Sequence, residues 1–271
     1  MENVKLILVF SMLCTLDFSC KTTTTDPTPT TPTAAVFCKL TQMVKNNGTN
    51  DFTYGAAGNI TKYVNSATYG TDKFVSTSTQ TYSSTGQLSS NLVIVAMNGK
   101  AQPQQNVSAY TYTNGLPTGI TFTQIGNTSP FAGSALKYDA NKRLTELVYT
   151  NNKYSSTEKY EYDAAGNCTR YVFTNTDGEK EEIVSTFDTS KNPEQIVAKG
   201  FPFDILFSKP WNVNMALTTK DTYDSGNGKP SITTAKRTNI KTDAKGYVIS
   251  STYADSDGTT VNETYTLADC N

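Results

Sequence analysis

Hydrophobic and polar positions alternate with a period of two through most of this chain, and the alternation is broken at regular intervals by short turn motifs. The clearest stretch is KYEYDAAGNCTRYVF, residues 159 to 173. Tyr160 and Tyr162 flank Glu161, the pattern of a strand with one covered face. Asp163 is placed to accept from backbone N–H groups two residues on. Ala164 and Ala165 suit the αR positions of a type I turn, and Gly166 supplies the left-handed residue that closes a three-residue hairpin with a G1 bulge. After the turn, apolar residues fall at Cys168 and Tyr171. A spacing of three points to a bulged return strand or to one covered on both faces; the run is too short and too rich in Thr for a helix.

The same unit recurs along the sequence, which predicts a repeat architecture. Copies read FTYGAAGNITKY (52 to 63), QTYSSTGQLSSN (80 to 91), LKYDANKRLTEL (136 to 147) and STFDTSKNPEQI (185 to 196), with weaker ones at 110 to 121, 221 to 232 and 240 to 251. Their anchors are Tyr54, Tyr82, Tyr112, Tyr138, Tyr162, Phe187, Tyr223 and Thr242, with turn residues Gly58, Gly86, Asp139, Asp163, Gly166 and Gly246. Lys142 and Lys191 replace the turn glycine in two copies, which assigns the positive φ there to Asn141 or Asn192. NNGTN, TDGE and SDGT, starting at residues 46, 176 and 256, read as reverse turns at the opposite end of the sheet. Irregular inserts are expected over 98 to 106, 126 to 134 and 198 to 216. The predicted fold is all-β: an antiparallel meander of repeated hairpins, about sixteen strands, curling into a large curved sheet, roll or barrel-like body.

Composition narrows the chemistry. Among 271 residues there are 16 Tyr, 12 Phe and no His, which removes the commonest general base and metal ligand. The net charge is −1, and without residues 1 to 19 the two signs balance, so no basic footprint for nucleic acid exists. The first residues read as a secretory signal: Lys5, an apolar run from Leu6 to Leu16, then Ser19 before Cys20. Residues 1 to 19 are therefore assigned to a signal peptide, 20 to 35 to a Thr/Pro-rich tether stiffened by Pro27, Pro29 and Pro32, and 36 to 271 to the β body. Cys20 resembles the lipidated cysteine of bacterial lipoproteins, although Asp17 stands where that motif usually has Leu. Cys14, simple secretion and an uncleaved anchor are the alternatives.

YEYDAAGNCTRYVFTNTDG, with LKYDANKRLTELVYT before it, resembles the YD repeats of bacterial RHS-type proteins, and the whole resembles lipoproteins frequent in Bacteroidota. That resemblance implies a sheet winding into a spiral shell, in which Tyr54, Tyr138, Tyr162, Asp139 and Asp163 are structural. Only the sheet-building role carries over from that family; the signal, the tether and the repeat together point to a non-catalytic, envelope-located lipoprotein scaffold, outer-membrane-anchored through an N-terminal lipid, with a structural or binding role.

No catalytic residue, cofactor or metal site is predicted. The Asp-rich turns at 223 to 229 and 254 to 263 are better read as hairpin ends than as calcium loops. Glu179, Glu181 and Glu182 are better read as a solvated hairpin end than as a glycosidase pair, which leaves a carboxylate-based hydrolase as a remote alternative. Cys38 and Cys270 could bridge the first and last strands or remain two buried thiols, and Cys168 reads as a core thiol. The insertion at 200 to 214 gathers Phe201, Phe203, Phe207 and Trp211; it reads as a plug for the sheet, or as a loop binding a glycan or protein ligand.

Overall fold

A computed structural model describes residues 38–46, 48–102, 105–197 and 212–270. The signal, Cys20, the tether, Phe201, Phe203, Phe207 and Trp211 lie outside the described residues. The chain divides into a unit over residues 1–35 and a body over 36–271, and the body alone is described below.

The period-two segments become strands. They are β1 (Lys39–Lys45), β2 (Gly48–Tyr54), β3 (Ile60–Tyr69), β4 (Asp72–Tyr82), β5 (Leu88–Met97) and the two-residue β6 (Lys100–Ala101). Next come β7 (Asn106–Thr113), β8 (Leu116–Gln124), β9 (Ala132–Tyr138), β10 (Leu144–Asn151), β11 (Ser155–Tyr162) and β12 (Cys168–Asn175). The last are β13 (Lys180–Lys191), β14 (Asn214–Asp224), β15 (Ser231–Thr242), β16 (Val248–Asp255) and β17 (Thr260–Ala268), with a 3-10 turn at Pro193–Ile196. All belong to one sheet. Each long strand pairs antiparallel with the next, the two-residue β6 pairs back on the end of β5 beyond its contact with β7, and β1 pairs with β17, so sixteen strands close into a barrel.

Closure corrects the RHS expectation. A spiral shell needs a sheet whose two edges stay open for further turns, whereas here the hydrogen-bonding edges of β1 and β17 satisfy each other from Lys39 opposite Ala268 to Lys45 opposite Glu263. The meander and the curled sheet are found as predicted. The YD-like unit makes a barrel stave rather than a shell segment.

The hairpin chemistry is local and repeats. In the unit at 159 to 173, the Asp163 N–H donates to the Asn167 carbonyl at 3.0 Å, and the Asp163 carboxylate accepts from the Asn167 N–H at 2.8 Å. Desolvation raises the Asp163 carboxyl, but the Asn167 side-chain amide and the backbone N–H groups of Asn167, Gly166 and Ala165 outweigh it and hold the group below the usual range. Gly166 has φ +96°, which few L-residues adopt. In the unit at 136 to 147 it is Lys142 itself, at φ +63°, that takes this conformation, which corrects the assignment to Asn141. The Asp139 carboxylate makes this tolerable by accepting from the Asn141 N–H, the Arg143 N–H and Arg143 Nε. The unit at 110 to 121 differs again: Asn114 and Gly115, both at positive φ, form a two-residue turn.

The three-residue spacing after each turn is a bulge. Tyr162 opposes Cys168 but Glu161 opposes Arg170, so Thr169 is the extra residue. Thr61, Ser89, Thr145 and Thr41 occupy the same place in their pairs. Each of these five hydroxyls donates to a carbonyl on the facing strand, at 2.9 to 3.4 Å. Thr41 belongs to the pair β17–β1, which makes the seam one more repeat unit, split between the two ends of the chain. Its turn is replaced by the Cys38–Cys270 disulfide, 232 residues apart in sequence with Cα atoms 4.0 Å apart. The copy at 221 to 232 is correspondingly not a unit: Tyr223 ends β14 at the opposite rim, where Asp224 accepts from the N–H groups of Gly226, Asn227 and Gly228 in a hairpin turn.

Candidate functional site: the barrel interior

Strand parity and register sort the side chains into two sets. Inward positions at the start of the strands that leave the turns of one end form an apolar ring, with Leu40 taking the same place at the seam: Leu40, Ile60, Leu88, Pro117, Leu144, Cys168 and Val248, all buried. Beside this ring lies a second one, of tyrosines. Tyr54 Oη donates to the Leu40 carbonyl at 2.8 Å, Tyr82 to Ile60 at 2.6 Å, Tyr112 to Leu88 at 2.9 Å, Tyr138 to Pro117 at 2.7 Å and Tyr162 to Leu144 at 2.6 Å. Each repeat tyrosine thus ties its unit to the unit before it. Burial pushes these phenols up, that of Tyr82 to about 12, so they remain protonated donors.

The role of the repeat tyrosine is therefore a stave-to-stave hydrogen bond. Tyr162→Phe should cost about 1 to 2 kcal/mol, because the Leu144 carbonyl is left unpaired in a buried place; urea denaturation of the variant measures it. Leu144→Ala, at a ring position with 0% exposure, should cost about 3 kcal/mol through lost burial and the cavity left. Thermal melting should fall accordingly, and an unchanged midpoint would show that the ring relaxes to fill the space.

Two units lack the phenol, carrying Phe187 and Thr242, and here the long insertion enters. Its described flanks are clamped between neighbouring turns: Lys191 N–H donates to the Gly246 carbonyl, Asn167 exchanges two hydrogen bonds with Asn214, and Asn212 Oδ1 accepts from Cys168 N–H at 2.7 Å. Val197 packs on the cluster of Leu40, Met43, Met215, Val248 and Tyr265. A second cluster, Leu88, Ile120, Leu136, Leu144, Leu147, Tyr160 and Cys168, fills the same end from the other side. The Cys168 thiol is pushed up to about 11 by burial, which makes it inert at neutral pH.

Farther in, the lining becomes polar. On β2 to β5, Asn50 Oδ1 accepts from Tyr63 Oη and Asn65 Nδ2, both at 2.6 Å, and Ser78, Gln80 and Asn91 are mutually hydrogen-bonded. Across β1 and β15 to β17, Glu263 sits among Arg237, Lys45 at 3.2 Å, Ser251 and Tyr265. Burial drives the Glu263 carboxyl up, but Lys45 and Arg237 outweigh it and hold the group ionised below the usual range. The three glutamates singled out in the sequence separate: Glu182 pairs outside with Arg170, Glu181 faces inward by register, and Glu179 caps a turn through Asn175. They form no acid pair across a cleft. Among the described residues no group of His, Cys, Asp and Glu could hold a metal.

Inward positions lose their cover along the barrel. Leu40, Leu144 and Val248 are 0% exposed, whereas Met97, Tyr223 and Tyr69, inward by parity at the far rim, are 43%, 39% and 63% exposed. Among the described residues, the inward side chains are therefore packed at the D-x-x-G end and exposed at the other rim. Sequence reading located the turn and stave residues. It missed Asn50, Ser78, Gln80, Asn91, Arg237 and Glu263, whose only signal was a polar residue at a position the alternation reserves for the covered face.

No protein-family model matches this chain, and no curated protein matches it. Among solved structures it is similar to a porin-like protein from Bacteroides uniformis ATCC 8492, with 15% identity, 89% of this chain and 99% of that chain covered, and a TM-score of 0.51. It also matches a porin-like protein from Bacteroides vulgatus ATCC 8482 at 11% identity, over 84% of this chain and 97% of that one, with a TM-score of 0.41. The first likeness is one of fold, and it agrees with the closed barrel. Together with that closure it sets aside the RHS/YD-type scaffold and the structural or binding role built on it.

Proposed function

We propose that this chain is a porin-like, non-catalytic barrel of the cell envelope that handles small polar solutes through its interior. The observation that carries the reading is the gradient along the closed barrel: an apolar floor, a neutral and charged polar lining above it, and inward side chains exposed at the far rim. Sixteen strands enclose more space than side chains alone fill, which is why barrels of this size can hold or pass solute. The fold likeness supports a transport-type role, and the N-terminal signal supports an outer-membrane address, with lipid at Cys20 as the anchor.

A thermal-shift screen with amino acids, sugars and nucleosides tests this. At least one class should raise the melting temperature of the wild type. Ser134→Trp, which puts a large ring at a small inward position paired with Ile120, should abolish that shift. A shift that survives in Ser134→Trp places binding outside the barrel and sinks the proposal, as does the absence of any shift across the screen.

A further inference from the structure

We infer that the outer wall of this barrel faces water rather than lipid, so that the body stands outside the bilayer and its interior is entered from an aqueous compartment. Among the described residues no helix is long and apolar enough to cross a membrane, so the strands are the elements that must be judged. A barrel that spans a membrane needs an apolar band around its whole circumference, edged by aromatic girdles, with polar groups turned inward. This barrel also turns polar groups inward, but its outer wall carries neither the continuous apolar band nor the aromatic girdles.

Aromatic residues of the described strands fall on inward positions. Tyr63 opposes Phe52 and Ser78, Tyr110 opposes Ile120, Tyr160 opposes Tyr171 and Phe173 opposes Glu158 and Glu181. Hydroxyls and charges hold many of the outward positions, with single valines such as Val64, Val148, Val172 and Val184 scattered among them. On β4 the polar outward residues are Thr77, Thr79 and Thr81, on the side away from buried Ser78 and Gln80; on β17 they are Asn262, Thr264 and Thr266, away from buried Glu263 and Tyr265.

Ions run in rows across the outer face. Glu146 lies opposite Lys137 on one side and Lys159 on the other, with the Lys137 contact at 2.6 Å. Arg170 bridges Glu161 at 2.5 Å and Glu182 at 2.6 Å, and its register continues through Val184 to Lys220. Lys220 and Lys236 are exposed near the middles of β14 and β15. Acyl chains offer such groups no hydration, and the rows sit on strands rather than in loops, where they could not snorkel to an interface. The most apolar outer stretch, Val75, Leu92, Ile94, Ala96, Val107 and Ala109, covers β4, β5 and β7 alone.

The inference rests on the proposed reading only in taking the interior as the working surface, and its test is separate. Single cysteines are placed at outward Thr79, Thr174 and Thr264 and, as reference, in the turn at Asn98, in the full chain. Broken envelopes are treated with a charged maleimide before and after detergent. Buried Cys168, with its raised thiol, contributes little background. All three wall cysteines should label within about two-fold of the Asn98→Cys rate, with no gain on adding detergent. Ten-fold or greater protection of all three that detergent removes would overturn the inference. As a second measurement that needs no folded cysteine variant, Cys20→Ser should move from the membrane pellet to the soluble fraction after an alkaline carbonate wash; retention in the pellet counts against a water-facing wall. A failed solute screen with fully labelled wall positions would sink the proposed function and leave the water-facing wall standing.

Discussion

Arg237→Met should destabilise the barrel by about 4 kcal/mol at pH 7, since removing one partner of a buried ion pair strands the other charge. Arg237 is 8% exposed and Glu263 5%. The Arg237 guanidinium donates to Glu263 and to Ser251 Oγ, and its Nε donates to the Ala216 carbonyl at 3.0 Å. Lys45 stays beside Glu263 in the variant, but one lysine at 3.2 Å replaces neither the fork of donors nor the carbonyl's partner. The double variant Arg237→Met with Glu263→Leu should recover a large part of the loss, and urea denaturation of the three proteins measures the coupling. If the single and double variants fall equally, the network acts by packing and not by charge.

The same pair sets an acid limit. Burial raises the Glu263 carboxyl, Lys45 and Arg237 lower it, and the balance lies below the ordinary glutamate value of 4.5. A carboxylate whose folded pKa is depressed contributes stability that is present above its unfolded pKa and is lost as pH falls through the folded one. Stability should therefore fall as pH drops below about 4.5, and Glu263→Gln should flatten that limb of the profile while lowering the plateau at pH 7.

Cys270→Ser should cost about 4 kcal/mol, because the bond closes a loop of nearly the whole body in the unfolded chain. The effect is tied to the seam. Seven hairpin ends on the D-x-x-G rim are joined by continuous chain, whereas the eighth, between β17 and β1, is joined covalently by Cys38–Cys270, beside the Lys39–Asp269 ion pair. Wild-type protein unfolded in reductant should match the variant, and the variant should be insensitive to reductant. Equal midpoints for oxidised and reduced wild type would mean that the strand pairing from Lys39 to Lys45 holds the seam without the bond.

The legible part of this molecule is the part made by neighbours in sequence. D-A-A-G-N specifies its turn because Asp163 and Gly166 act within five residues, and the Cys168 to Tyr171 spacing exposes the bulge because an extra residue shifts the period where it is inserted. Where the chemistry was less local, sequence reading slipped. Lys142 accepts positive φ because Asp139 gathers three donors around the turn, two of them from Arg143. Tyr223 carries the pattern of a repeat and yet ends a strand at the wrong rim, since register across β13 and β15 decides where it lies.

The candidate site shows the same division. The alternation marks which positions share a face, but it cannot say whether the covered face is the inside of a shell, a sandwich or a barrel. An inward Arg237 or Gln80 reads in sequence as an error of pattern; in the barrel each is a member of a hydrogen-bonded lining.

The sequence by itself determined the hairpins, their turns and bulges, and the all-β meander, because these follow from φ preferences and from a side-chain period of two that any short window contains. Only the tertiary structure decided that sixteen staves close, that the two chain ends make the last repeat, and that Thr and ion rows face outward around a tyrosine-lined interior. Those outcomes depend on β1 meeting β17 across more than two hundred residues, and no local window carries the energy of that pairing.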